Sequence, residues 1–231
     1  RIEHIGWNGP GVQCSRSTLD RCQFRDNAAL TPVIMTNGAD ASTIRNSSFV
    51  HNNGDACSCV YGPSIVLNCV FENNIQTVLA GPTSVSACTF RGNTFYPGSG
   101  YGIVTGGAPF TDCVIVGNSG QFTLFHGGVF ANCLFVSNRV TQTGYGGIAS
   151  GSQIVNCDFI ANRSFGDPSA VSGLMANSLF LNNRNVYPPD AGTPIEEMQV
   201  PATGSSIQRC LIEGWTGIPV SSNYAACASG S

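Results

Sequence analysis

Eleven cysteines, three histidines and thirteen acidic side chains are the groups in this sequence that could do chemistry. Thiolates bind zinc, form disulfides or act as nucleophiles once their pKa is lowered. Cys57-Ser58-Cys59 has the look of a chelate, but no histidine or second cysteine pair stands at zinc-site spacing from it. Neither a metal nor any other cofactor is therefore expected. The three histidines, His4, His51 and His126, are far apart in the chain. Acid–base work on an acidic polysaccharide would need paired carboxylates, or carboxylates around calcium. Whether any pair up depends on what positions them.

Seven of the cysteines belong to a repeat. Ile154-Val155-Asn156-Cys157-Asp158-Phe159-Ile160-Ala161-Asn162 shows it in full: apolar, two residues, Cys or Ser, any residue, Phe or Ile, two residues, Asn. The Cys/Ser position falls at Cys22, Ser47, Cys69, Cys88, Cys113, Cys133, Cys157, Ser178 and Cys210, at intervals of 19 to 25 residues until a last one of 32. The apolar position runs Leu19, Ile44, Val66, Val85, Phe110, Phe130, Ile154, Met175, Ile207. The Asn runs Asn27, Asn52, Asn74, Asn93, Asn118, Asn138, Asn162, Asn183, and is replaced by Trp215 in the ninth copy.

A unit this short buries nothing alone, so copies must stack. Cys and the aromatic are two apart, hence on one face of a strand, and their types make that face the buried one. Val, Ile, Phe and Thr dominate, punctuated by Gly, Asn, Pro and Ser, and no helical period is sustained. The expectation is an all-β single domain, a parallel β-helix of about nine to ten coils with like residues stacked roughly 4.8 Å apart. Each Asn is expected to take a left-handed backbone conformation and to bond the Asn of the next coil. The ladder cysteines are then small buried hydrophobes with free thiols. Cys14, Cys57, Cys59 and Cys227 lie off the ladder and are the candidates for any disulfide.

Upstream of each signature a second strand is expected, at 33–36, 56–61, 77–80, 102–105, 122–125, 147–150 and 170–172. A glycine corner should follow it, at Gly38, Gly62, Gly81, Gly106-Gly107, Gly127-Gly128 and Gly151. Residues 1–11 read as a cap or partial coil, 12–215 as the β-helix, and 216–231 as a cap and tail. A long insertion at 184–205 carries Tyr187-Pro188-Pro189 and Glu196-Glu197. The chain reads as a mature or excised piece.

These repeats resemble those of the right-handed parallel β-helix, the pectin-lyase-like superfamily. Phe24–Asn27, Phe49–Asn52, Phe71–Asn74, Phe90–Asn93, Phe135–Asn138, Phe159–Asn162 and Phe180–Asn183 are also similar to the Phe-x-x-Asn repeats of polymorphic outer-membrane and other autotransporter passenger proteins. That resemblance implies an extracellular or cell-surface protein active in adhesion or self-association. The superfamily resemblance implies, as the alternative, binding or degradation of polysaccharide. Against turnover, Asp112 and Asp158 fall in different outward columns, Glu72 and Glu213 stand six coils apart, and no polygalacturonase-type motif is present. Phe95, Tyr96, Tyr101, Tyr145, Phe165 and Tyr187 could form a sugar-stacking shelf, which suits binding. No catalytic residue is expected.

The outward positions beside the signature aromatic change character along the chain. They are polar at Gln23, Arg25, Thr89 and Arg91. They become apolar at Val114, Val116, Leu134, Val136, Ile160, Leu179 and Leu181. An apolar stripe of that length marks a surface that something covers, either the 184–205 insertion or another chain. The expected function is an extracellular structural or adhesive scaffold that binds itself or another surface protein through this stripe. The net charge is −3 and all ten cations are Arg, so nothing provides a basic footprint for nucleic acid. No apolar run is long enough to span a membrane.

Overall fold

A computed structural model describes residues 2–3, 11–29, 31–38, 40–54, 59–96, 102–142, 147–165, 170–185, 206–213 and 228–230. Within these, the chain is a stack of parallel strands with no helix. Nine signature strands pair in succession, each with the next copy. They are β1 (Gln23–Arg25), β2 (Ser48–Val50), β3 (Val70–Glu72), β4 (Thr89–Arg91), β5 (Val114–Val116), β6 (Leu134–Val136), β7 (Asp158–Ile160), β8 (Leu179–Leu181) and β9 (Leu211–Glu213). Ile2–Glu3 adds to the β1 edge and Ala228–Gly230 to the β9 edge. A 13-stranded sheet carries the upstream strands and the apolar positions. A third, five-stranded sheet follows the Asn column, beginning at Thr94–Phe95. Most of the insertion and tail, residues 186–205 and 214–227, lies outside the described residues, as do His4, Cys57, Cys227, Tyr101, Tyr145 and Tyr187.

Why each signature strand is only three residues long is visible in the backbone. A left-handed residue stands at each end: Arg21 (φ 54°) and Asp26 (54°) around β1, Asn46 (52°) and His51 (54°) around β2, Asn156 (53°) and Ala161 (53°) around β7. This corrects one expectation. The left-handed residue is the one before the ladder Asn, not the Asn itself. With its own backbone kept out of that conformation, each Asn aims its N–H and its side-chain amide at the same neighbour. Asn93 donates both its backbone N–H (2.9 Å) and its Nδ2 (3.0 Å) to Asn118 Oδ1, and Nδ2 also donates to the Phe71 carbonyl (3.0 Å). The same pattern runs from Asn52 through Asn74 and Asn118 to Asn162, all buried. A left-handed non-glycine residue costs about 1–2 kcal/mol. A net gain of roughly 1 kcal/mol per buried hydrogen bond offsets that in every coil.

Inside, Phe24, Phe49, Phe71 and Phe90 stack with centroids 4.8–4.9 Å apart, and Phe135, Phe159 and Phe180 resume the stack at 4.3 and 4.9 Å. Between the two runs the position is Ile115. The missing ring volume is filled from the opposite sheet, where Phe110, Phe125 and Phe130 replace the smaller Ile, Val and Leu of earlier coils. Phe125 meets Phe90 edge-on at 5.4 Å and Phe135 at 6.3 Å.

That substitution reshapes the outside. In early coils the glycine corners hold: Gly62 has φ 104°, and a Cβ there would sit 2.2 Å from the Thr36 carbonyl oxygen. From the fifth copy the two strands run together as Val104–Thr111, Phe125–Ala131, Ala149–Val155 and Ala170–Ala176; in the first of these Gly106 (φ 126°) and Gly107 (φ 69°) still turn the chain, and from the sixth the corner is open. The expected corners at Gly127, Gly128 and Gly151 are therefore strand interior. Gly127 is required for a different reason, since its Cβ would lie 2.7 Å from Phe130 Cζ.

Candidate functional site

The ladder cysteines Cys22, Cys69, Cys88, Cys113, Cys133, Cys157 and Cys210 stack with Ser47 and Ser178 and carry free thiols, as do Cys14 and Cys59 off the ladder. Each side chain turns back to the carbonyl two residues earlier: Cys88 Sγ to Ser86 O (3.1 Å), Cys157 Sγ to Val155 O (3.3 Å), Ser47 Oγ to Arg45 O (2.7 Å), Ser178 Oγ to Ala176 O (2.9 Å). Sulfur and hydroxyl do the same local job, which is why the repeat accepts either. The Cys133 thiol is pushed up to about 12, first by its hydrogen bond with Cys113 and then by burial. Cys88 and Cys157 are raised as well, first by their thiol neighbours Cys69 and Cys133 and next by burial. Protonated, buried thiols are poor nucleophiles and poor metal ligands. Among the described residues no three His, Cys, Asp or Glu side chains converge as a metal site.

Among the described residues the carboxylates are dispersed, and five of them are engaged. Glu72 pairs with Arg91 (2.7 Å), Asp26 with His51 (3.4 Å), Asp40 with Arg16. Asp20 accepts from Asn46 (2.8 Å) and Arg45 (3.2 Å), and the Asn46 hydrogen bond is the main cause of its lowered pKa. Asp112 accepts from Asn132 Nδ2 (3.0 Å). Of the aromatic shelf, Phe95 is buried core, 6.2 Å from Phe122, so only Tyr96 of that pair is exposed.

Two surface features are built by the register. The first is the outer face of the signature sheet. Column one reads Gln23, Ser48, Val70, Thr89, Val114, Leu134, Asp158, Leu179, Leu211, and column two Arg25, Val50, Glu72, Arg91, Val116, Val136, Ile160, Leu181. All seven residues singled out in the sequence thus lie in two neighbouring columns over β5–β8. Val114 is 39% exposed; Val116, Leu134, Val136, Ile160, Leu179 and Leu181 are half-buried. The sequence reading missed Val70 (36% exposed) and Leu211 (37%), which extend column one in both directions. Asp158, which the sequence already sets beside Ile160, interrupts column one of the stripe. The alternation within each three-residue strand was the available signal.

The second feature is a trough of about 460 Å³ over the fused strands, lined by Thr105, Gly106, Gly107, His126, Gly127, Ser150 and Gly151. Thr105, His126 and Ser150 are successive members of one outward column, and the glycines form the floor beside them. In the sequence Gly127-Gly128 is an expected corner and His126 one of three scattered histidines. Its neighbours become apparent once Phe130 is seen to force the glycines. Among the described residues no carboxylate, Lys or Arg lines this trough, and those that do line it can hold a polar ligand by hydroxyl, imidazole and backbone contacts.

No helix of the described residues is long and apolar enough to cross a membrane. A search among curated proteins returns no match. The family described as right handed beta helix region matches residues 1–135, over half of the chain. With its parallel coils, its Asn and Phe ladders and that match, the chain belongs to the right-handed β-helix family.

Proposed function

We propose that this β-helix is a secreted or cell-surface scaffold that assembles with itself through the outer face of its signature sheet. The observation that carries the reading is the run of Val116, Val136, Ile160 and Leu181 across four adjacent strands in unbroken register, flanked by Val114, Leu134 and Leu179 in the column that Asp158 interrupts. Contiguous apolar surface on that scale marks an interaction site. The same columns carry Gln23, Arg25, Thr89 and Arg91 elsewhere, so strand propensity alone does not account for it. The test is Val136→Asp, measured for fold by circular dichroism and for mass by light scattering. The coils stay intact and association is lost; unchanged association sinks the reading.

A second reading rests on the trough. Its glycine floor and the aligned Thr105, His126 and Ser150 suit an extended, hydroxyl-rich ligand, which supports polysaccharide binding without turnover. Titration calorimetry against acidic and neutral oligosaccharides separates the two. Binding abolished by His126→Ala supports the trough; no heat with any oligosaccharide leaves assembly alone.

A further inference from the structure

The third sheet stacks cations. Its strands are Thr94–Phe95, Ser119–Gly120, Arg139–Val140, Arg163–Ser164 and Arg184–Asn185. Parallel register lines up their first residues in one column: Thr94, Ser119, Arg139, Arg163, Arg184. Three arginines therefore follow one another at the strand spacing of about 4.8 Å. The second residues Phe95, Gly120, Val140 and Ser164 are buried, so the first residues face out, and Arg139 and Arg163 are exposed. For Arg184 the backbone register alone fixes the place.

Four other arginines have carboxylate partners: Arg16 faces Asp40, Arg25 faces Asp26, Arg45 faces Asp20 and Arg91 faces Glu72. Arg139 and Arg163 face none among the described residues. Like charges opposed on neighbouring strands destabilise a sheet. The repeat does not require them, because the same position holds Ala28, Asn53, Ile75, Thr94 and Ser119 in earlier coils. In a chain of net charge −3, such a concentration of positive charge draws an anion to this face.

We propose that the column binds a sulfated polysaccharide lying along the stack axis, with each sulfate ester seated between two successive arginines. The choice rests on oxygens and spacing. A sulfate ester has three terminal oxygens, so one group accepts from the guanidinium forks above and below it. A carboxylate has two, and a single bidentate fork uses both. Three arginines leave two such seats one strand step apart, a step comparable with the length of one sugar ring. A nucleic-acid duplex fits less well, since its phosphates wind around the helix axis and the column is straight. Toward the N-terminal end the column continues into hydroxyls, with Thr94 Oγ1 and Ser119 Oγ 3.4 Å apart, and Tyr96, two residues beyond Thr94, is 51% exposed. Hydroxyl and ring suit the uncharged parts of a glycan. This site lies on a different sheet from the apolar stripe and the trough, and it is independent of both readings above.

The test is titration calorimetry of the full chain with heparin at several salt concentrations, with polygalacturonate and duplex DNA as the other probes. Polygalacturonate has carboxylates and no sulfate. Heparin binds, and Arg139→Gln combined with Arg163→Gln weakens it by about tenfold or more, the scale of losing charge-assisted contacts. The slope of log affinity against log salt falls by about one for each arginine removed. Arg139→Lys with Arg163→Lys keeps the charge but loses the fork, and weakens binding less than the glutamine pair does. Arg45→Gln, at a cation that Asp20 already holds, leaves binding within a few-fold. These arginines are exposed, so circular dichroism shows the coils intact in every variant. No heparin binding, or binding that the glutamine pair leaves unchanged, overturns the proposal. Polygalacturonate or DNA bound as tightly as heparin overturns the assignment to sulfate. Heparin binding that appears only after Glu196→Gln and Glu197→Gln means that the arginines serve this chain's own acidic insertion, and the proposal falls.

Discussion

At the scale of the residue, the fold is held by side chains that each close a circuit with the coils above and below. Asn118 is the clearest case. Its Oδ1 accepts the backbone N–H (2.9 Å) and Nδ2 (3.0 Å) of Asn93, and its Nδ2 donates to the Phe90 carbonyl and Asn138 Oδ1, both at 3.0 Å. Asn118→Ala leaves the buried Asn93 backbone N–H without its acceptor and takes a donor from the Phe90 carbonyl and from Asn138 Oδ1, and an unsatisfied buried group costs about 1–3 kcal/mol. A urea titration should show a loss of roughly 3 kcal/mol, less if water enters the gap. Cys157→Ser behaves differently. Ser47 and Ser178 already occupy that column and make the same bond to the carbonyl two residues back. The expected change is within about 1 kcal/mol, as for other swaps that preserve volume and partner. The thiols also set a pH response. Cys88, Cys133 and Cys157 are raised above the ordinary value of 9.0. The unfolded chain therefore releases these protons first as pH rises, and the folded chain retains them. Their contribution is fully present below pH 9 and declines above it; for Cys133 the decline is complete near 12, and for Cys88 and Cys157 it continues to higher pH. Denaturation midpoints taken from pH 7 upward check this; a midpoint that holds or rises above pH 9 contradicts it.

At the scale of the element, ladders were legible in the sequence and the spaces between them were not. The spacing of Cys, Phe and Asn fixes which residues stack, because a three-residue strand allows only one inward position between its two turns. The turns themselves were misplaced by one residue. Ser137 and Ala161 take the left-handed conformation (φ 52° and 53°), although neither is a type that favours it. The neighbouring Asn bonds impose it. The glycine run was misread for a similar reason. Gly127 looks like a corner, but its cause is a ring three residues away. Gly127→Ala drives a Cβ to within 2.7 Å of Phe130 Cζ and 3.1 Å of the Ala108 oxygen. Overpacking of this kind costs about 1–3 kcal/mol. Adding Phe130→Val, which restores the size found at Val66 and Val85 in the same column, should relieve most of the strain from the alanine. A double-mutant cycle by thermal melting measures the coupling, and strict additivity argues against the account. Ile115→Phe makes the same point in reverse: it completes the repeat pattern, yet it destabilises, because Phe125 already fills that space. Phe95 shows how a loop aromatic is mistaken for a ligand shelf when a two-residue strand, Thr94–Phe95, turns it inward.

At the scale of the whole molecule, the stack converts a local substitution into a surface. One apolar residue outside a strand means little, but a register unbroken from β1 to β8 lines such residues up over several coils. The seven stripe residues could be picked from the sequence because the strand period is two. Asp158 was set aside there, since a lone carboxylate has no meaning until its neighbours in the column are known. The trough was invisible because its floor is made of backbone. Both surfaces follow from the ladder, and the more extensive is the apolar face. The measurement that tests the central claim most directly is the mass of the full chain in solution, by light scattering across a concentration series at physiological salt. The account predicts a mass that rises with concentration above 24.1 kDa. A constant 24.1 kDa at every concentration would contradict it, and attention would pass to the trough at His126.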